Sequence, residues 1–316
     1  MMIAFVLSGG GCRGAVQAGA LLALLERNIR PDLVVGTSVG ALNGVALATN
    51  PTLDGAQWIA ESWRRVRRHD IFPGNPFTVG WRLLCGGGSL HPQDSFQRFV
   101  SSMMMGHVER FGELRVPCKV TATVLSTGQL HIFGNDPQES VVDAIMASTA
   151  IPPFFPPYCY KDELLVDGAV VANLPLQEAV NCGALTIYAL KIVERASSPN
   201  GSLAETLSYA LNAMLSRQDE QEHRLVGMLR RRGVTIHNIQ LEVGRPRSYS
   251  DFDHSKELID VGYSTTMSYL KAHLTPETTP VDRWRSMIRD LPQIPSFSLL
   301  ARQPERLAQF LKIRKV

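Results

Sequence analysis

Two runs near the start of the chain, Ile3–Leu7 and Asp32–Val35, are apolar almost without interruption, and each passes through glycine into a helical pattern. A short continuous apolar run, without the alternation of a half-exposed strand, belongs to a strand covered on both faces. Such strands form parallel sheets flanked by helices. Between the two runs, Val16, Ala20, Leu21, Leu24 and Leu25 recur at helical spacing over Ala15–Glu26, so the segment reads strand, helix, strand. A helix of small residues carrying Ala41, Gly44, Val45 and Ala48 follows the second run.

The alternation continues. Helices are expected over Gly55–Arg68, Asp94–Met104 and Val141–Ala147, and strands over Lys119–Val124 and Leu130–Phe133. Short strands follow around Tyr158 and Leu164, then strands at Thr186–Lys191 and Val234–Leu241 enclosing a long helix, Leu203–Arg231. Ile71–Leu90 reads as a long loop with its own glycines and aromatics, a candidate lid. No linker divides the chain, so the expectation is one three-layer α/β/α domain around a mostly parallel sheet. Residues 1–200 carry the motifs, and 201–316 add helices and a strand to the same domain.

Composition narrows the class. Of 316 residues, 45% are hydrophobic and 19% charged, enough for a large core and too apolar for a disordered chain. The balance of 32 Lys+Arg against 29 Asp+Glu gives +3, which supplies no argument for nucleic acid. Cysteines at 12, 85, 118, 159 and 182 show neither metal spacing nor a disulfide framework, so reduced thiols and a cytoplasmic chain are expected. The apolar start has no basic region and breaks at Ser8-Gly9-Gly10-Gly11. The uncharged stretch Leu33–Leu53 holds Gly36, Gly40, Asn43, Gly44 and Pro51, and reads as strand, turn and helix. Neither is taken as a leader or a membrane span.

Three places carry chemistry. The first is LSGGGCRGA, where Gly9, Gly11 and Gly14 fit GxGxxG between a strand and a helix. Such a loop presents free amides to an anion. A dinucleotide-binding protein would also have an acidic residue closing the second strand, whereas here Asp32 opens it. The second is Gly36-Thr37-Ser38-Val39-Gly40, a GxSxG in the strand–turn–helix setting of a nucleophile elbow. Its serine needs a base. His223, His237, His254 and His273 come late enough for the α/β-hydrolase order, yet none has a signature setting, and Ser38 comes too early for that fold. The third place is Asp167-Gly168 at the end of an apolar strand, where a partly buried carboxylate gains the basicity to deprotonate serine. An ordinary Asp-Gly turn is the competing reading.

Taken in order, GGGCRG, GTSVG and DGA resemble the three motifs of the patatin-like phospholipase family, and ASTAIPPFFPP (147–157) resembles its further proline-ending block. The likeness runs from about residue 3 to 192; the C-terminal third is similar to bacterial members more loosely. The resemblance implies a patatin-like fold and a serine lipolytic acyl hydrolase using a Ser-Asp dyad. Ser38 would be the nucleophile, Asp167 the base, and Gly9, Gly10 and Gly11 the oxyanion-hole donors. Arg13, Gly14, Gly36, Gly40 and Gly168 would support the motifs, with Arg13 read as capping the loop rather than meeting a headgroup. Ser148 is read as capping or packing, and Cys12 as a packed small residue.

The resemblance further implies fatty-acyl esters or phospholipids as substrates, with no cofactor and no metal, since amides meet the oxyanion. The aromatic 71–90 segment and Met103–Met105 are candidates for an acyl pocket, with ordinary core as the alternative. The Arg64–Arg68 and Arg230–Arg232 runs suit either transient membrane contact or cationic helix ends. The rival classes are a nucleotide-binding protein and a non-hydrolytic lipid-binding module of the same fold. Oligomeric state is left open.

Overall fold

The computed structural model describes residues 2–74, 91, 93–104, 108–152, 154–194, 218, 220–244 and 251–274. The chain divides into two compact units, Met1–Leu270 and Lys271–Val316, and the sheet and candidate site belong to the first. Phe77, Trp81, Leu83, Leu84 and Met105, the first part of the expected 203–231 helix, and residues 275–316 lie outside the described residues.

Eight strands form one mixed sheet. β1 (Ile3–Leu7) lies between β2 (Leu33–Thr37) and β7 (Thr186–Glu194), parallel to both. β2 is parallel to β3 (Cys118–Val124), and β7 is parallel to β8 (Thr235–Val243). Thus β8, beyond residue 200, extends the same sheet. The remaining pairings are antiparallel: β3 with β4 (Leu130–Phe133), β3 with β6 (Glu163–Asp167), and β6 with β5 (Tyr158–Tyr160).

Helices cover both faces. α1 (Ala15–Glu26) and α2 (Val39–Thr49) are buried nearly all round, as helices with apolar residues on every side must be. A side chain at Gly44 of α2 would press on Val34, while α7 (Leu176–Asn181) packs through Leu176 and Ala179 into a core with Val35, Ile187 and Leu229. Val34 and Val35 point to opposite faces. The three layers expected from sequence are therefore present.

Several elements depart from expectation. The Gly55–Arg68 helix is two: α3 (Leu53–Arg65), started by Thr52 accepting from the Gly55 amide, and the short α4 (Arg68–Ile71). α5 (Asp94–Met103) and α6 (Val141–Ser148) fall where periodicity places them. α7 and the long α9 (Ser255–His273) lack a clear sequence signal. α9 contains Gly262, Thr265 and Thr266, weak helix formers, yet crosses α1 tightly. A Cβ at Gly19 would run into the Ile259 carbonyl, and one at Gly262 into the Val16 carbonyl. Tertiary packing decides this helix.

Register positions the chemistry. Leu7 is level with Gly36, so the loops leaving β1 and β2 emerge side by side. On β3, Thr121 pairs with Thr37 and the next residue, Ala122, pairs with Asp167. β4 occupies one edge of β3 from Val120 to Thr123, so β2 and β6 must share the other edge and meet end to end. Residues 129 positions apart in sequence thereby arrive at adjacent places.

Candidate active site

Ser38 sits between β2 and α2 with φ 54° and ψ −125°, a conformation that costs a non-glycine residue about 1–3 kcal/mol. The surrounding structure over-determines this turn. The Ser38 carbonyl accepts from the amides of Ala41 (2.9 Å) and Leu42 (3.2 Å), and its own amide donates to Ser148 Oγ at 2.8 Å. Ser148, at the end of α6, thus grips the elbow itself, a more specific task than helix capping. At Gly40 a side chain would collide with the carbonyl oxygens of Leu7 and Ser8, so glycine there lets α2 approach the end of β1. Gly36 is excluded from carrying a side chain by the Gly40 backbone, Gly14 by Val39 and Trp63, and Gly168 by Thr121. All four motif glycines permit close packing.

Asp167 is fully buried and tightly held. Its amide donates to the Ala150 carbonyl (3.0 Å), its carbonyl accepts from Thr123 Oγ1 (3.0 Å), and its Oδ1 accepts from the Ala169 amide (2.8 Å). Oδ2 has no protein hydrogen-bond partner. Burial pushes the carboxyl pKa up to about 7, against the smaller opposing effects of the nearby Ser38 hydroxyl and the Ala169 amide. The Ser38 side chain is near enough to the carboxyl to favour its ionised form. Among the described residues no histidine bonds to Ser38; His237 stacks on Tyr188 and His254 faces Asp251.

The glycine loop corrects one expectation. The Gly9 amide donates to the Asn173 carbonyl (3.3 Å) and Oδ1 (3.1 Å), so it is committed to holding the loop. Among the described residues the amides of Gly10 and Gly11 donate to no acceptor, and Gly11 takes φ +60° beside Ser38. These two amides are thus available to a bound anion. Arg13 is buried, only 6% exposed. Asp32 Oδ2 accepts from the Ile3 amide at the far end of β1, away from the glycine loop, which removes it as a ribose ligand.

Beneath the loops lies a polar network that motif reading missed. Gln17 Nε2 donates to the Ser8 carbonyl (2.8 Å), and Asn43 Nδ2 donates to Gln17 Oε1 and the Gly14 carbonyl (both 3.0 Å). Trp63 Nε1 completes it on Asn43 Oδ1 at 2.8 Å. The available signal was a single amide inside each of two otherwise apolar or small-residue helices, since such a residue must find partners.

Beside Ser38 is a narrow apolar cavity of about 50 Å³, lined among others by Leu42, Trp63, Phe72, Phe96, Phe155 and Phe252. Phe72 stacks on Phe155 and Phe96 on Phe155, each at 5.4 Å between centroids. Cys12 lines this cavity as a buried small residue, while Met103 and Met104 are core. The basic run at the end of α3 is engaged locally: Arg64 and Arg65 pair with Glu61, and Arg67 donates to the Arg64 and Val66 carbonyls. No helix among the described residues is long and apolar enough to cross a membrane.

A parallel-rich α/β/α fold with a strained serine at a strand–helix elbow, and a buried aspartate on the strand that meets β2 end to end, defines the class of protein. Residues 5–180 match the family model for patatin-like phospholipase, and the chain belongs to that family. It is 25% identical over 280 residues to patatin-like phospholipase domain-containing protein 6 of Mus musculus, covering 83% of this chain and 20% of the relative. It is also 26% identical over 215 residues to lysophospholipase NTE1 of Phaeosphaeria nodorum, covering 68% and 13% respectively. The chain therefore spans a fifth or less of the length of these two relatives. Among solved structures, VipD from Legionella pneumophila aligns with a TM-score of 0.50 at 16% identity over 86% of this chain and 67% of that one, a likeness of fold.

Proposed function

We propose that this chain is a serine acyl hydrolase acting on fatty-acyl esters of lipids through a Ser38–Asp167 dyad. One observation carries the reading: a strained Ser38 faces a fully buried carboxylate whose Oδ2 has no protein partner, beside an apolar cavity. Asp167 Oδ2 takes the proton from Ser38 Oγ as the oxygen attacks the ester carbonyl carbon. The Gly10 and Gly11 amides stabilise the tetrahedral oxyanion, each worth roughly 3–4 kcal/mol in comparable sites. Collapse breaks the ester C–O bond, and the protonated Asp167 returns its proton to the departing alcohol. Water then repeats the sequence on the acyl-Ser38 ester, with Asp167 as base, releasing the fatty acid and restoring the serine.

The α2 N-terminus adds a fixed positive field beside the developing charge. Membership of a phospholipase family supports lipid esters, and the aromatic cavity supports an acyl chain as the group held beside Ser38. Phospholipid substrates imply transient contact with a lipid surface. The test is labelling with a fluorophosphonate together with ester hydrolysis. Wild type should be labelled, and Ser38→Ala and Asp167→Asn should each lose activity by at least about a thousandfold. Labelling that survives Ser38→Ala, or undiminished turnover by Asp167→Asn, overturns the dyad.

A further inference from the structure

The loop after Asp167 has little packing to hold it. Val170 and Val171 are 37% and 40% exposed, an unusual place for two β-branched residues. Two hydrogen bonds inside the loop reach the Gly168 carbonyl, and Thr37 Oγ1 donates to the Ala172 carbonyl at 3.0 Å. Three further polar groups of the loop converge on one side chain from far along the sequence. Gln218 Nε2 donates to the carbonyls of Ala169 (2.9 Å) and Val170 (3.0 Å), and its Oε1 accepts from the Asn173 amide (3.0 Å).

These contacts select glutamine chemically. Two carbonyls at one end require donors and an N–H at the other requires an acceptor, which also fixes the orientation of the amide. Glutamate offers no donor, lysine no acceptor, and asparagine is one methylene shorter. The two ends of the clamped segment are the points where the site is built. Ala169 supplies the amide that orients Asp167 Oδ1, and Asn173 receives the Gly9 amide, one residue before the expected oxyanion donors. Gly9 in turn lies against Ser38: a Cβ built on it would stand 3.2 Å from the serine Cβ.

The support behind Gln218 is firm. Four residues on, Glu222 Oε2 pairs with Lys191 Nζ at 2.6 Å, with both side chains nearly buried and Lys191 rooted in β7. Further along the same helix (α8, 220–231), Leu229 enters the core of the sheet. The helix is thus seated on the sheet, and Gln218, just ahead of it, reaches the loop after Asp167.

We propose that Gln218 is a positioning residue that clamps the Ala169–Asn173 loop and, through Ala169 and Asn173, holds Asp167 and the glycine loop in register with Ser38. The catalytic consequence rests on the dyad reading above; the clamp itself does not. A bond from the Ala169 amide favours the ionised carboxylate. Loosening it therefore moves Asp167 to still higher pKa and shifts the rising limb of activity to alkaline pH.

The experiment compares wild type with Gln218→Ala, Gln218→Glu and the exposed neighbour Gln221→Ala. It reads amide hydrogen exchange at residues 9–11 and 168–173 alongside kcat, KM and the pH profile. Gln218→Ala should raise exchange at both loops and lower kcat about 10–100-fold, with KM within threefold and an alkaline shift of the rising limb. Gln218→Glu, similar in size but without donors, should be impaired at least as much, and Gln221→Ala should match wild type. Unchanged exchange at both loops in Gln218→Ala overturns the clamp, whatever becomes of the dyad. Raised exchange with unchanged kcat and pH profile overturns its catalytic role. Retained labelling in Ser38→Ala is the separate sign that the dyad reading has failed.

Discussion

As the proposed base, Asp167 is subject to opposed demands: it must be ionised to accept a proton, and burial resists ionisation. With the carboxyl pushed up to about 7, roughly half the molecules hold a competent base at neutral pH, and the ionised group is a far stronger base than an ordinary aspartate. The rising limb of kcat/KM should therefore fall near pH 7 rather than near 4, read from initial rates between pH 5 and 9. Stability should move the other way. Between the ordinary value of 3.8 and about 7, the native carboxyl keeps a proton that the unfolded chain has released. Rising pH through that window therefore favours unfolding. Relative to Asp167→Asn, wild type should lose stability progressively from about pH 4 to 7 and then level off, by up to about 4 kcal/mol in total. Urea titrations of both proteins check this. A constant difference across the range would mean that Asp167 does not titrate as its burial requires.

At the scale of elements, α2 is the piece on which the site depends, and its signal in the sequence was strong. Every residue from Val39 to Thr49 is buried, and the same small, apolar composition that marks it as internal lets it approach β1 through Gly40. The serine elbow and the glycine loop were legible because both are local: strand, glycine, helix within ten residues. The proposed partner acid was only half legible, because Asp-Gly is an ordinary turn until β3 brings it beside Thr37. Gln17, Asn43, Asn173 and Gln218 were not identified, since each matters through contacts with residues distant in sequence. Asn43 offers the sharpest test of this buried layer. Asn43→Leu leaves the Trp63 N–H, the Gly14 carbonyl and the Gln17 amide oxygen without a shared partner in a dry interior. The expected loss is about 2–4 kcal/mol in urea unfolding, with fluorophosphonate labelling slowed because the glycine loop loses its footing. A loss below about 0.5 kcal/mol would mean that the network is not a support.

At the scale of the molecule, the cavity beside Ser38 is assembled from parts that no motif links. Leu42 comes from α2, Trp63 from α3, Phe72 from the turn after α4 and Phe96 from α5. Phe155 lies within the proline-rich block, and Phe252 precedes α9. Substrate preference was therefore beyond motif reading, although the chemistry itself had a sequence signal. A cavity of about 50 Å³ is small beside the roughly 300–1,000 Å³ of ordinary ligand sites, so it accommodates only the first carbons of a chain unless the rings move. Phe96 packs against Phe99 and Phe155, is nearly buried and lines the cavity, so truncating it enlarges the cavity. Phe96→Ala should raise kcat/KM for twelve-carbon esters relative to four-carbon esters about three- to tenfold. The substitution will also cost about 3–5 kcal/mol of stability, but a ratio measured on one preparation cancels any unfolded fraction. A ratio unchanged from wild type would place the chain outside this cavity. The aromatic cluster would then be core that shapes Ser38 from behind, with the acyl group entering from the side of the glycine loop.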